Sequence, residues 1–205
     1  MPQTKTTWTG LSAYLLGRVL TRERRKKRDQ ALLHRVLEGF SKGETLLDYG
    51  AGSGFLAIEV AKQKRGGKVI ALDASPVMLD QLRRRARELG LQDQIEILCA
   101  DATDTGMPDG SIDRLVTSKV LHEIPDKQAA LDEISRILKP GGKLVVKDVR
   151  SSTVGKLMTL VFHRDINAAL NPDTLRVMLQ KRNIDVDFVQ TSRIGMLLVA
   201  YKQNG

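Results

Sequence analysis

An α/β fold is predicted, with a mainly parallel sheet carrying helices on both faces. Three observations predict it. Short apolar runs suited to buried strands alternate along the chain with segments whose apolar residues recur at helical spacing. The first such run, Thr45-Leu46-Leu47, opens directly into a glycine turn, Asp48-Tyr49-Gly50-Ala51-Gly52-Ser53-Gly54. That turn leads into the helix-like Phe55-Leu56-Ala57-Ile58-Glu59-Val60-Ala61, giving strand, tight turn and helix.

The elements follow in order. Residues 1–43 form an N-terminal helical arm: Ala31, Leu32, Val36, Leu37 and Phe40 share helical spacing up to Gly39 and Gly43, so the arm packs on the sheet or lids its pocket. The core spans residues 44–205. After the first strand and turn comes a helix at 54–64, then the strand Lys68-Val69-Ile70-Ala71-Leu72, which stops at Asp73. A helix at 76–89 packs through Val77, Leu79, Leu82, Ala86 and Leu89, leaving Arg83, Arg84, Arg85 and Arg87 outside. Ile95-Glu96-Ile97-Leu98-Cys99 is a third strand, with Cys99 expected in the core because free cysteines are usually buried. Ile112 to Ser118 is a fourth strand, 127–138 a helix, and Pro140-Gly141-Gly142 a turn before a fifth strand ending at Asp148. An apolar insertion, Leu157 to Arg164, follows; then a helix at 173–182 and two strands, 185–190 and 196–201, joined by a turn at 192–195.

Composition bounds the function. The chain has 205 residues, 41% of them hydrophobic, enough for one core. A single cysteine excludes an internal disulfide framework, and no cysteine and histidine cluster has metal-ligand spacing. No stretch has the length and apolarity of a membrane helix or the pattern of a signal peptide, so a cytoplasmic location is expected. Of the net charge of +9, Arg22-Glu23-Arg24-Arg25-Lys26-Lys27-Arg28 supplies +5. That run is a solvated helix face, or a contact for anionic membrane or RNA; with 4% aromatic residues and none interleaved, base stacking is disfavoured.

The glycine turn carries the chemistry. Glycine accepts positive φ and lacks a Cβ, so a ligand can lie against the backbone. The spacing is acidic-x-Gly-x-Gly-x-Gly, with Phe at position 55, whereas a pyrophosphate cradle needs Gly-x-Gly-x-x-Gly. A dinucleotide site, and with it a dehydrogenase, is disfavoured. Asp73, about twenty residues on, suits a ribose diol. Asp101, in Ala100-Asp101-Ala102 after the third strand, suits an exocyclic amine.

Taken with the fourth and fifth strands, these motifs resemble those of the class I S-adenosylmethionine-dependent methyltransferases, in the small-molecule branch that includes the ubiquinone and menaquinone biosynthesis enzymes. The match spans about residues 44–148. The resemblance implies a three-layer Rossmann-like methyltransferase sheet of seven mostly parallel strands with an antiparallel last strand. It implies S-adenosylmethionine as co-substrate and no metal. Asp48, Gly50, Ala51, Gly52 and Gly54 would meet the methionine and ribose side; Asp73, with Ala74 and Met78, the ribose; Asp101 and Ala102 the adenine; Ser118 and Lys119 the region beneath the methyl group. Tyr49 and Phe55 are bulkier than the residues usual at those places, so they narrow the pocket or pack behind it.

Methyl transfer needs alignment and exclusion of water, plus a base when the acceptor is a hydroxyl or acidic carbon. His122, Glu123, Asp148 and His163 are the candidates, with His122 foremost; the competing reading has His122 or Glu123 simply bonding the loop backbone. Asp113 reads as structural. The expected function is methylation of a small, apolar molecule. The alternatives are an RNA or protein methyltransferase and a non-catalytic binding protein on the same fold.

Overall fold

A computed structural model describes residues 22–63, 66–151, 170–193 and 195–204. The side chains of the basic run and the apolar insertion with His163 lie outside the described residues. Helix α1 (Arg22–Leu37) is followed by β1 (Thr45–Tyr49), α2 (Phe55–Ala61), β2 (Lys68–Asp73), α3 (Pro76–Glu88), β3 (Ile95–Cys99), β4 (Ile112–Ser118), α4 (Lys127–Ile137), β5 (Leu138–Val149), α5 (Pro172–Gln180), β6 (Ile184–Thr191) and β7 (Gly195–Lys202).

The strands form one seven-stranded sheet in the order β3-β2-β1-β4-β5-β7-β6. β1 to β5 pair in parallel, and β7 runs antiparallel to both its neighbours, β5 and β6. The chain winds from β1 outwards to β3, then returns to β4 on the other side of β1. The order therefore reverses between β1 and β4, and a crevice opens at the carboxyl ends of those strands.

Two apolar layers sandwich the sheet. Leu131, Ile134 and Ile137 of α4 and Leu175 and Leu179 of α5 bury against Leu47, Leu115, Leu144 and Val146 on one face. On the other, Leu32 and Val36 of α1, Ile58 and Val60 of α2, and Leu79 and Leu82 of α3 bury against Leu46, Val69, Val116 and Val145. Strands such as β1, buried along nearly their whole length, read as continuous apolar runs because both faces are covered.

Capping residues start the helices where the sequence turns polar. Ser75 Oγ accepts from Met78 N at 3.4 Å with Pro76 in the first turn, Asp126 Oδ1 accepts from Ala129 N at 2.9 Å, and Asn171 Oδ1 accepts from Asp173 N at 2.8 Å. The Pro140-Gly141-Gly142 turn is a bulge: Ile112 pairs with Leu138 but Arg114 pairs with Lys143, so residues 139–142 loop out opposite Asp113. Asp113 is the structural residue its position implies, accepting from Thr45 N at 2.8 Å and pairing with Lys139 Nζ at 2.7 Å.

Three packing expectations are corrected. Cys99 is exposed, because β3 is an edge strand and Cys99 stands at its open end. Val77 and Leu89, at 46% and 48% exposure, flank the buried stripe of α3 rather than joining it. Arg85 is half-buried, turned from the solvent face toward the glycine turn. At the other end of the sheet, Arg114 Nη1 donates to the Val36 and Glu38 carbonyls, fixing the carboxyl end of α1 beneath β4.

Candidate active site

Strand β1 ends at the crevice, and the turn after it is held almost wholly by backbone groups. Gly50 N and Ala51 N both donate to Leu72 O at 2.8 Å, and Gly54 N donates to Ala51 O at 2.9 Å. Gly50, Gly52 and Gly54 have φ of 79°, 55° and 75°, which side-chain-bearing residues rarely adopt. The three differ in what surrounds them. A Cβ at Gly50 would overlap Val120 and one at Gly54 would overlap Leu82, whereas at Gly52 it would meet nothing within 4 Å. Gly52 is thus where the turn presents bare backbone to open space.

Two carboxylates tie the turn down. Asp48, 2% exposed, accepts from Ala57 N at 3.0 Å and so anchors the first turn of α2. Its burial, countered in part by that amide and reinforced by the nearby charge of Asp73, pushes its pKa up to about 7. Asp73, at the end of β2, accepts from Gly52 N at 2.7 Å through one oxygen and from Ser75 N at 2.8 Å through the other. One carboxylate therefore clamps the glycine turn to the start of α3, and each oxygen keeps a second acceptor direction. Ala74 is exposed and Met78 half-buried beside it. Ser75, whose amide completes this clamp and whose hydroxyl caps α3, is not among the expected site residues, although Ser before Pro is a helix-start signal.

Beyond β3 the chain folds over Tyr49. That side chain is fully buried and its hydroxyl donates to the Ala102 carbonyl, so it packs behind the crevice rather than narrowing it. Asp101 is exposed and accepts from Thr103 N at 2.9 Å and Thr103 Oγ1 at 2.8 Å. The loop is braced from α4 by Glu133, which accepts from Thr105 N at 2.9 Å and pairs with Arg136 Nη2 at 2.8 Å. The Arg136 hydrogen bond, outweighing burial and helped by Thr105, lowers the Glu133 pKa to about 2.

On the other side of the crevice, β4 ends at half-buried Ser118, and the exposed Lys119 takes φ 62° as the chain turns, its amide donating to Lys147 O at 2.7 Å. The turn brings His122 down onto Asp148. The His122 ring is 4% exposed; its Nδ1 lies 2.5 Å from Asp148 Oδ1, and its backbone N donates to Asp148 Oδ2 at 3.4 Å. Asp148, 3% exposed, also accepts from Val149 N at 2.6 Å. Glu123 Oε1 stands 3.8 Å from His122 Nε2. Burial alone would depress the imidazole pKa; the Asp148 hydrogen bond and charge, with Glu123, outweigh it and Lys127, so the pKa is raised. Bonded in this way, Nδ1 carries the proton of the neutral ring and Nε2 is the basic nitrogen. Thr117, on β4 between Tyr49 and Val146, has a buried hydroxyl with no partner among the described residues.

Two cavities complete the picture. One of about 260 Å³ starts at Leu121, next to His122, and is lined by Leu131, Leu170, Leu175 and Met178 together with the polar Lys127, Asn171 and Thr174. The other, about 390 Å³, lies at the amino end of β4. Several of its charged groups pair with one another: Arg114 with Glu44 at 3.3 Å, and Glu38 3.6 Å from both Arg35 and Lys143. Ligands of such sheets bind at the carboxyl ends, so chemistry belongs to the Asp73 and His122 end. No group of histidine, cysteine or acidic residues among those described has the arrangement of a metal site.

Comparison with known proteins agrees with this geometry. The methyltransferase domain family matches residues 47–146. The demethylmenaquinone methyltransferase of Clavibacter sepedonicus is 39% identical over 104 residues, covering 51% of this chain and 40% of that protein. The ubiquinone/menaquinone biosynthesis C-methyltransferase UbiE of Enterobacter sp. (strain 638) is 33% identical over 109 residues, 53% of this chain and 43% of that protein. The chain thus spans about two-fifths of the length of these relatives. Among solved structures, a SAM-dependent methyltransferase from Aquifex aeolicus superposes with TM-score 0.70 at 23% identity, over 89% of this chain and 99% of that one. The [4+2]-cyclase SpnF does so with TM-score 0.76 at 19% identity, over 91% and 85%. At such identities these two report the fold alone. Residues 47–146 thus match the methyltransferase domain family, and the chain resembles the class I S-adenosylmethionine-dependent methyltransferases of the UbiE kind.

Proposed function

We propose that the protein transfers a methyl group from S-adenosylmethionine to a small molecule with an apolar body. The observation that carries this reading is the Asp73 clamp beside Gly52: an acidic side chain fixed by two amides, at the end of β2, next to bare backbone with open space in front. A ribose diol can donate to the remaining lone pairs of Asp73, and the nucleoside can lie on Gly52 without meeting a side chain. Asp48, Gly50, Ala51 and Gly54 shape the turn, Ala74 and Met78 flank the ribose, Asp101 and Ala102 meet the adenine, and Ser118 and Lys119 close the methyl side.

The donor supplies an electrophilic methyl on a sulfonium. What the chain adds is alignment and a base. His122, oriented by Asp148 through Nδ1, takes the acceptor proton at Nε2, and Glu123 stands beside that nitrogen. The leucine-lined cavity that begins at Leu121 supports an apolar acceptor, as do the names of the quinone-pathway relatives.

The test is transfer of isotopically labelled methyl from S-adenosylmethionine into demethylmenaquinone under reducing conditions and into a fractionated metabolite extract. Label in a small apolar product, dependent on the protein, is expected. Label only in RNA or protein fractions would replace this acceptor class, and no label in any fraction would point to a binding protein on the same fold.

A further inference from the structure

Helix α3 reaches the glycine turn at several points along one of its edges. Ser75 N bonds Asp73, whose other oxygen holds Gly52 N. Leu82 fills the place a side chain at Gly54 would take. Arg85, one turn further, donates from Nη1 to Ser53 O at 2.7 Å and lies 3.5 Å from Ser53 Oγ. Residues 75, 82 and 85 share a helix face by spacing. Asp73 and Leu82 hold Gly52 and Gly54, and Ser53 between them is gripped through its carbonyl by Arg85. Its neighbours Arg83 and Arg84 do otherwise: Arg83 pairs with Asp80 at 2.8 Å within its own helix, and Arg84 is exposed.

We propose that Arg85 is a positioning residue for the donor site, its guanidinium holding the Ser53 carbonyl so that Gly52 presents its backbone to the nucleoside at a fixed height. The inference rests on the donor-site reading above. Three successive left-handed glycines have broad alternative backbone states, so the turn keeps one shape only where outside groups select it. Two of the selecting contacts, the Asp73 clamp and Leu82 packing, act on glycines. The Arg85 bond is charge-assisted and acts on the one residue of the Gly52-Ser53-Gly54 segment that has a side chain. Without it the peptide between Ser53 and Gly54 is held only from its amide side, by the Gly54 N bond to Ala51 O, and binding must reorder the loosened turn, which lowers affinity without removing any contact to the ligand.

The experiment is calorimetric titration with S-adenosylhomocysteine of the wild-type protein and the Arg85→Met, Arg85→Lys and Arg84→Met variants, with thermal unfolding and amide exchange on each. Arg85→Met keeps the apolar stem and removes the donor. It is expected to weaken binding about tenfold, with faster exchange at Ser53 and Gly54, while Arg84→Met binds as wild type. Arg85→Lys, which keeps one charged donor, is expected to fall between, and it reports on the tether should Arg85→Met not fold. Wild-type affinity in Arg85→Met, or equal losses in Arg84→Met and Arg85→Met, would overturn the proposal. A wild-type protein that does not bind S-adenosylhomocysteine would overturn the donor-site reading as well, an outcome distinct from the variant results.

Discussion

The two halves of the crevice are built from different materials. The half around Gly52 and Asp73 is a backbone turn held in shape by two carboxylates, Asp48 and Asp73, and by Arg85, drawn from residues 48–85, with open space where the glycine lacks a side chain. The half around His122 is made of buried ionisable side chains contributed by separate strand ends, with His122 and Asp148 lying 26 residues apart. Backbone groups fix a shape and are indifferent to most substitutions. Buried side chains set a proton affinity and are lost with one mutation. A ligand fragment shared by many reactions suits the first kind of site, and a particular acceptor suits the second.

The largest effect expected from breaking this contrast is at His122. Replacing it by Ala or Gln should leave S-adenosylhomocysteine affinity intact but lower turnover roughly 10²–10⁴-fold with an acceptor that must lose a proton. Asp148→Asn sharpens the point. A base works only when deprotonated, and Asp148 and Glu123 raise the His122 pKa against burial and Lys127, so the acidic limb of the pH–rate profile lies higher than for an ordinary histidine. Removing the Asp148 charge should move that limb to lower pH.

Asp48 tests the donor half by stability. Its folded pKa of about 7 exceeds the unfolded value of 3.8, so the folded state holds a proton that the unfolded chain has released. Its contribution is therefore most favourable below about pH 4 and is lost as pH rises through 7. Asp48→Asn, which can still accept from the Ala57 amide, should flatten this decline and stabilise the protein at pH 8 relative to pH 5, by about 2–3 kcal/mol. Chemical denaturation at the two pH values is the measurement.

The glycines divide the donor half further. Gly54→Ala forces a side chain to φ 75° and against Leu82, and should cost about 2–4 kcal/mol of stability. Gly52→Ala meets no protein atom and should cost only about 1–2 kcal/mol from its φ of 55°, yet lose donor affinity, because its methyl occupies the space the nucleoside needs. Paired unfolding and binding measurements separate the two.

The same contrast decides what the sequence reveals. Strand runs, the glycine turn and the Asp73 position are local patterns, so the strands, the helices and the placing of Asp73 beside the turn were legible, and the seven strands with an antiparallel last strand that the resemblance implies match the sheet found. The His122 and Asp148 contact was not legible as a pair, because it depends on β4 and β5 lying side by side, with Ser118 opposite Lys147. Arg85 was hidden for another reason. Helical spacing separates buried from exposed positions but not solvent from a neighbouring turn, so an arginine at the edge of the apolar stripe reads as surface. Cys99 failed in the opposite sense: its type suggests burial, while its place at the open end of an edge strand exposes it.

We propose that the carboxyl end of the sheet binds a nucleoside methyl donor through the Asp73 clamp. It is tested most directly by calorimetric titration of the wild-type and Asp73→Ala proteins with S-adenosylmethionine, S-adenosylhomocysteine and NAD. The wild-type protein is expected to bind both sulfur nucleosides and to bind NAD more weakly, with a loss of about 1.5–3 kcal/mol in Asp73→Ala. Unchanged affinity in the variant, or tighter binding of NAD than of the methyl donor, would contradict it.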